Sequence, residues 1–542
     1  MRLLEKMCFV VLASGLAMGQ ATATNSGSAG TGSVADELKA LREAISQQQK
    51  QISQQQQQIQ TLEQQLETKT SGTPHMADAS MHTTAVAVKA TVVQETEKPK
   101  ESPLSFRIGG ADFTPGGFVD FTNIFRTTNT GSAVSTAFNT IPFSNSAAGH
   151  LTEFRSSAQY SRFNLKVAGK FGENKINGYI ESDFNGNDAA NVFVTTNPHT
   201  LRLRLYYLQL GRGIWEFTAG QAWGLMTPNK VGVGAAPSDL DTTMSTDGNI
   251  AVGVMYSRDA QFRIAVKPND RFSWALSIDN PQQLAPSSVI LPAAFSGVLG
   301  AQVDGSVTAG VPNLFPDIIT KFALDSGSTG RKLHLEAGGL ITSARIAVPS
   351  PGAPSTGPFT KSTAIGAGGF GGAGLSLTKK FRVLGYGMYG DGVGRYFIGF
   401  GPQFVVAPIA TSPTTFTAEA SMVHAGSGYG GAEWQITSKT QIGAYYGGIY
   451  YGRNFFPDVT ATTPVKPFIG YGGPTSANTN NRSIQEGFLI IAHTLWKNPQ
   501  FGALVLNSDS SYTTRDPWAH TAVQPKNAHM FMQRIDPKYV LP

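Results

Sequence analysis

The feature that most constrains this chain is an alternation of period two with charge confined to one parity. Between Ser157 and Phe171, Phe163, Leu165, Val167 and Phe171 share one face, while Arg162, Asn164, Lys166 and Lys170 share the other. After the turn Gly172-Glu173-Asn174-Lys175 the pattern returns. Ile176, Ile180 and Phe184 oppose Asn177, Glu181 and Asp183. A third segment, His199 to Leu210, sets Leu201, Leu203 and Leu205 against Arg202 and Arg204. Successive side chains of a strand point to opposite faces, so each segment reads as a β-strand with one apolar and one polar side.

Local alternation does not distinguish a soluble sandwich from a membrane barrel. Composition separates them. Charged residues make up 14% of the 542, well below the roughly 25% of ordinary soluble domains. Gly is plentiful at 60, and Phe and Tyr number 32 and 16, as Gly-rich closed sheets with aromatic girdles require. Past the first twenty residues no apolar run approaches the 18 or so that a membrane helix needs. Closed antiparallel β structure remains, and backbone pairing in lipid forces such a sheet to close. Long Gly, Ser, Thr and Pro-rich connections (about 129–154, 281–312, 348–362, 406–418 and 454–481) alternate with short turns such as Thr437-Ser438-Lys439-Thr440. The region 104–542 is expected to hold about 16 strands, with residues 227–250 as the connection that folds inward. The net charge of +6 is not gathered into Lys/Arg blocks, so nucleic acid is not expected as a partner.

The N-terminal region is organised differently. Residues 1–23 read as a signal peptide: Arg2 and Lys6, an apolar core from Met7 to Met18, then small residues for cleavage after Gly19 or Ala23. The one cysteine, Cys8, lies inside that core, so the mature chain has neither disulfides nor thiolate metal sites. Residues 34–67 carry heptads, with Leu38, Ile45, Ile52, Ile59 and Leu66 at intervals of seven and Leu41, Gln48, Gln55 and Leu62 three residues after the first four. This is a coiled coil with two amide layers, a device that fixes register and copy number. Residues 68–103 lose the period and form a flexible, Thr/Ser/Pro/Lys/Glu-rich linker. His75 and His82 lie in it and are read as solvated rather than as metal ligands.

Several stretches mark a resemblance in their order along the chain: Leu201-Arg202-Leu203-Arg204-Leu205-Tyr206-Tyr207, Ala219-Gly220-Gln221-Ala222-Trp223, Ser277-Ile278-Asp279-Asn280-Pro281, Phe315-Pro316-Asp317-Ile318, Gly390-Asp391-Gly392-Val393-Gly394-Arg395-Tyr396 and the terminal Tyr539-Val540-Leu541-Pro542. With these the chain resembles the DcaP-like outer-membrane porins, a trimeric dicarboxylate-porin group. The resemblance implies a 16-stranded homotrimer in outer-membrane lipid, a periplasmic coiled coil, and uptake of small anions. Pro542 departs from the terminal aromatic of most outer-membrane barrels.

The expected fold is therefore all-β: a transmembrane antiparallel β-barrel preceded by an α-helical coiled coil. The expected lumen residues are Arg162, Lys166, Lys170, Arg202 and Arg204 as a basic ladder, Glu181 and Asp183 opposing or extending them, and Arg395. No catalytic residue, metal site or cofactor is assigned. Gly385-Tyr386-Gly387-Met388-Tyr389-Gly390 matches G-x-G-x-x-G but has strand-like flanks and no following helix. His334-Leu335-Glu336-Ala337 fails the H-E-x-x-H pattern at its fifth position. A barrel hydrolase would draw on residues such as His424, His493 and Ser427, and a structural envelope tether with incidental conduction is the other alternative.

Overall fold

The computed structural model describes residues 102–186, 200–304, 311–328, 331–398, 400–476, 480–521 and 523–542. The signal segment, the heptads 34–67 and the linker up to residue 101 lie outside them. Sixteen strands build the wall. Strand β1 is Ala111–Asp120 continued by Thr122–Arg126, and β2 is Glu153–Ser157 continued by Arg162–Phe171. There follow β3 (Asn174–Asp183), β4 (Arg202–Arg212), β5 (Trp215–Trp223), β6 (Arg258–Val266), β7 (Phe272–Asp279) and β8 (Asp317–Ser328). The second half comprises β9 (Arg331–Pro349), β10 (Phe359–Ser376), β11 (Phe381–Asp391), β12 (His424–Gln435), β13 (Thr440–Tyr451), β14 (Asn481–Asn498), β15 (Gly502–Pro517) and β16 (Ala528–Val540).

Each strand pairs antiparallel with the next, and β16 pairs back onto β1 in one register, Met532 opposite Arg126 and Val540 opposite Phe118. The sheet is thus closed and has no free edge, the condition for satisfying every ladder hydrogen bond without water. One rim has tight turns. Gly172-Glu173 and Gly213-Ile214 are two-residue connections whose glycines take φ of +58°, a conformation other residues rarely adopt. The other rim carries the long connections, including 127–152, 224–257, 280–316, 392–423 and 452–480. Two of these differ from the all-β expectation or hold extra structure: Ser296–Val303 is a short helix, and Phe404–Ala410 pairs with Phe416–Met422 as a hairpin outside the wall.

Side-chain parity divides outside from inside. On β4, Leu203, Tyr206, Leu208 and Leu210 are exposed, while Arg204, Tyr207 and Gln209 are buried. Aromatics ring the short-turn rim: Phe171, Trp215, Phe272, Trp434, Trp496 and Phe501 are all exposed. A continuous exposed apolar band between rims is untenable in water and matches the lipid-facing wall of a membrane barrel. Among the described residues no helix is long and apolar enough to cross a membrane.

Strand β4 also corrects an expectation. Leu205 does not face out with Leu201 and Leu203; it is fully buried. The pairing with β3 slips between Glu181 and Ser182, so Glu181 opposes Leu205 while Ser182 opposes Leu203. This bulge leaves Arg204 as the extra residue and reverses parity beyond it, which simple alternation cannot foretell. The G-x-G-x-x-G stretch lies wholly inside β11, where no phosphate-binding turn exists.

Replacing Leu208 by Arg on the outward face is expected to destabilise the barrel by about 2–4 kcal/mol, as for cations placed at mid-membrane. Arg at the lumen-facing Gln209 should cost clearly less. Denaturant unfolding of the two variants in lipid vesicles checks the difference.

Candidate functional site

The connection 224–257 leaves β5 at Trp223 and returns to β6 at Arg258, but between them it turns into the lumen. Its contacts reach strands on the far wall. The Asn229 amide donates to Glu336 of β9 (3.0 Å), and Lys321 of β8 donates to the carbonyl of Thr227 (2.9 Å) and to Asn229 (2.6 Å). Asp241 accepts from Arg382 (2.5 Å) and from Tyr386 (2.7 Å) of β11. Ser245 donates to Asp509 of β15 (2.9 Å), Asp247 accepts from Arg534 of β16 (3.1 Å), and the Val252 amide donates to Glu486 of β14 (2.9 Å). The inward-folding segment expected at 227–250 is therefore found, slightly longer at both ends. In this loop, burial raises the Asp239 carboxyl above its usual range.

Glycine makes this docking possible. A Cβ on Gly447 of β13 would lie 2.0 Å from the carbonyl oxygen of Val252, and one on Gly253 would lie 2.3 Å from that of Gly428. Loop backbone and wall backbone touch there with no side chain between them. Beside this contact Tyr386, Tyr429, Tyr445 and Phe488 turn inward and are buried with loop residues Val252 and Val254. The tyrosine hydroxyls find partners: Tyr429 donates to the Asp241 carbonyl (2.5 Å) and Tyr445 to Glu433 (2.7 Å).

The loop thus closes one side of the lumen and leaves the side along β1, β2 and β16. A cavity of about 610 Å³ lies there, with Arg162, Arg204, Arg258 and Lys538 on its wall and Leu240 and Thr243 of the loop facing them. The expected residues are brought together on β2, β3 and β4. Asp183 holds Arg202 through two bonds (2.9 and 2.7 Å) and Arg204 through a third (2.8 Å). Glu181 accepts from Arg204 at 2.8 Å and from Tyr179 at 3.0 Å, and lies 3.4 Å from Arg162. Both carboxylates are buried beneath the arginines. Lys166 and Lys170 share the parity of Arg162 nearer the short-turn rim; both are exposed, and no carboxylate pairs with them among the described residues.

Arg395 does not join this group. It sits in the long connection after β11, its side chain 8% exposed, paired with Asp317 at the start of β8 and stacked 4.0 Å over the Tyr396 ring. It anchors a loop and does not line the cavity. Conversely, the sequence reading missed Arg258, whose guanidinium lies 5.3 Å over the Trp223 ring and has no carboxylate partner among the described residues. It also missed Lys538, which pairs with Asp120 at 3.2 Å. Alternation in Arg258–Val266 and Ala528–Val540 was available as a signal, but the isolated cations in them formed no run.

The residues of the hydrolase alternative are not assembled. His424 lies on the outer face beside Asp391 (2.6 Å), Ser427 has the opposite parity and donates to the Gly253 carbonyl (2.7 Å), and His493 meets Thr440 (2.9 Å).

No family model and no curated protein sequence matches the chain. Among solved structures it is similar to the outer-membrane channel DcaP of Acinetobacter baumannii, at 15% identity and a TM-score of 0.53, over 80% of this chain and 98% of that one. A weaker likeness, with a TM-score of 0.42 and 10% identity over 80% of this chain and 100% of the other, relates it to an anion-selective porin from Comamonas acidovorans. The first likeness is one of fold alone: a closed antiparallel β-barrel.

The loop anchors generate a prediction. Asp247 and Arg534 are both fully buried and hydrogen-bonded. Asp247→Ala leaves the guanidinium without its nearest carboxylate and is expected to cost about 3–5 kcal/mol. Thermal unfolding should show the loss.

Proposed function

We propose that this chain is an outer-membrane porin that lets small anions, dicarboxylates among them, diffuse through its lumen, and that it works as a homotrimer. The observation that carries the reading is the cavity between the inner loop and a wall of arginines. The cavity is lined by Arg162, Arg204, Lys230, Arg258 and Lys538 against the carboxylates Asp120, Asp247 and Glu433, while Glu181 and Asp183 are buried beneath Arg202 and Arg204.

Passage through such a path needs no covalent step. Selectivity follows from pore width, hydrogen-bonding groups and fixed charge. Arg stays ionised at every relevant pH and offers a planar fork that accepts a carboxylate by two bonds. The buried acids do two things. They hold the guanidinium groups extended and separate, and they cancel part of the charge, so that no single position binds a solute too tightly to release it. Lys166 and Lys170 continue the positive field toward the short-turn mouth, where cavity walls of low dielectric constant strengthen it.

Purified protein in planar bilayers is expected to give discrete conductance steps and, in a salt gradient, a reversal potential of anion-preferring sign. Exchanging Arg162, Arg204 and Arg258 together for Ala should lower the anion preference several-fold while the steps persist. Succinate, phosphate and neutral sugars, compared as blockers of the current, separate dicarboxylate preference from simple size. Folded protein without steps would leave the tether reading in place.

A further inference from the structure

We propose that the cavity beside the inner loop selects carboxylates that carry a flat apolar body, aromatic monocarboxylates above all, over small anions of equal charge. The proposal rests on the anion reading of the channel and names the class of anion that fits its cavity best.

The cavity of about 610 Å³ is built from two unlike surfaces. Its cationic lining is only partly neutralised. Asp120 pairs with Lys538 (3.2 Å), Asp247 pairs with Arg534 (3.1 Å), and Glu433 lies 3.4 Å from Arg382. Lys230 and Arg258 line the cavity without a carboxylate partner among the described residues. Much of the remaining lining is apolar, where the interior of a water-filled barrel is ordinarily polar. Phe118, Val505 and Val540 contribute to it from the wall, and Leu240, Met244 and Ile250 from the loop. The register sets Phe118 opposite both Arg162 and Val540, so these three share the inner face.

Aromatic rings and cations are interleaved on this wall. The Phe118 ring carries Arg162 at 5.2 Å and Lys538 at 4.5 Å from its centroid. The Trp223 ring carries Arg258 at 5.3 Å and meets Tyr256 edge-on at 5.4 Å. A guanidinium attracts the face of a ring as well as a carboxylate. A benzoate-like solute therefore satisfies two demands at once. Its carboxylate meets Arg258, and its ring covers apolar lining that is otherwise wetted at a cost in free energy. Acetate brings only the charge, and benzyl alcohol only the ring. Small-molecule sites of this size combine the same two elements, an apolar lining and a few placed polar groups.

Ile250 holds part of the apolar lining in place against a local cost. Its φ is +60°, a region unfavourable for a β-branched residue. It closes the turn Asp247-Gly248-Asn249-Ile250 through its amide, which donates to the Asp247 carbonyl (2.9 Å). Glycine and asparagine adopt this conformation at less cost, and both stand just before it in the turn. Ile250 instead brings a branched apolar side chain that packs against both hydrophobic clusters and lines the cavity with the remainder. Backbone strain of this kind gathers at ligand-binding positions.

Block of the single-channel current of the full mature chain in planar bilayers tests the proposal, with acetate, benzoate and benzyl alcohol added in turn. Benzoate is expected to block at a several-fold lower concentration than acetate, and benzyl alcohol to leave the current unblocked. Ile250→Gly, which relieves the strain and removes the side chain, and Met244→Gln, which keeps the volume, should each bring the benzoate-to-acetate ratio toward one. Arg258→Ala should weaken block by both carboxylates. Equal block by benzoate and acetate in a channel that prefers anions overturns the proposal and leaves the anion reading intact, as does benzyl alcohol blocking as well as benzoate. This wild-type comparison decides even where a variant fails to assemble. A benzoate preference that persists in both Ile250→Gly and Met244→Gln places the ring elsewhere in the lumen and overturns the assignment to this cavity. Absence of conductance steps, or of anion preference in a salt gradient, removes the anion reading and this proposal with it.

Discussion

A backbone amide in hydrocarbon has nothing to bond except another backbone group, and the rest of this structure follows from that constraint. It closes the sheet, because an edge strand would leave a row of donors and acceptors unpaired. Closure fixes which side of every residue is in and which is out, since parity cannot change along a strand without breaking the ladder. The one clear change on β4, at Arg204, requires a bulge, and the chain places that bulge where three arginines must converge over two carboxylates. The irregularity and the charged site are therefore one feature, in keeping with the occurrence of bulges beside functional sites.

Inside the wall the problem is reversed. The lumen holds a cavity of about 610 Å³ and is not packed solid, yet a loop of more than thirty residues must stay fixed in it. The chain concentrates the loop's contacts on the half of the wall from β8 to β16, where Asp241 and Asp247 of the loop accept from Arg382 and Arg534, and Glu336 and Glu486 of the wall accept from loop amides. Buried ion pairs are poor sources of net stability, because desolvation offsets most of their attraction. They are effective at making one arrangement far better than its neighbours. Glycines 253 and 447 extend the same logic by removing the side chains that would hold the loop off the wall.

Much of this was legible in the sequence. Alternation with charge on one parity gave the barrel, the lumen side of Arg162, Arg202 and Arg204, and the acids Glu181 and Asp183, because all five lie on consecutive strands joined by one short turn and one longer connection. The inner loop was legible from its prolines and acids between two strands. What stayed hidden depends on long-range closure. Lys538 lies 376 positions from Arg162 in the chain, and only the pairing of β16 onto β1 sets both against one cavity. Arg395 failed for the complementary reason. Its motif sits in a connection that has no parity, so its direction is set by Asp317 on a strand far away in sequence. Leu205 failed because a bulge is decided by what the opposite strand needs.

The acids under the arginines give the site its character. Were Glu181 and Asp183 absent, Arg162, Arg202 and Arg204 would repel one another and swing apart toward solvent, and the positive field would be strong but diffuse. With the acids in place the guanidinium groups are held at fixed positions and the local charge is reduced without being cancelled. On the function proposed above, a passing anion would meet a shallow, well-located attraction that it could leave, over distances comparable to the Debye length of about 8 Å at physiological salt. Fixed position with modest net charge suits transit; a free cluster of the same arginines would suit binding. The difference between the two lies in the carboxylates, which never need to touch the solute.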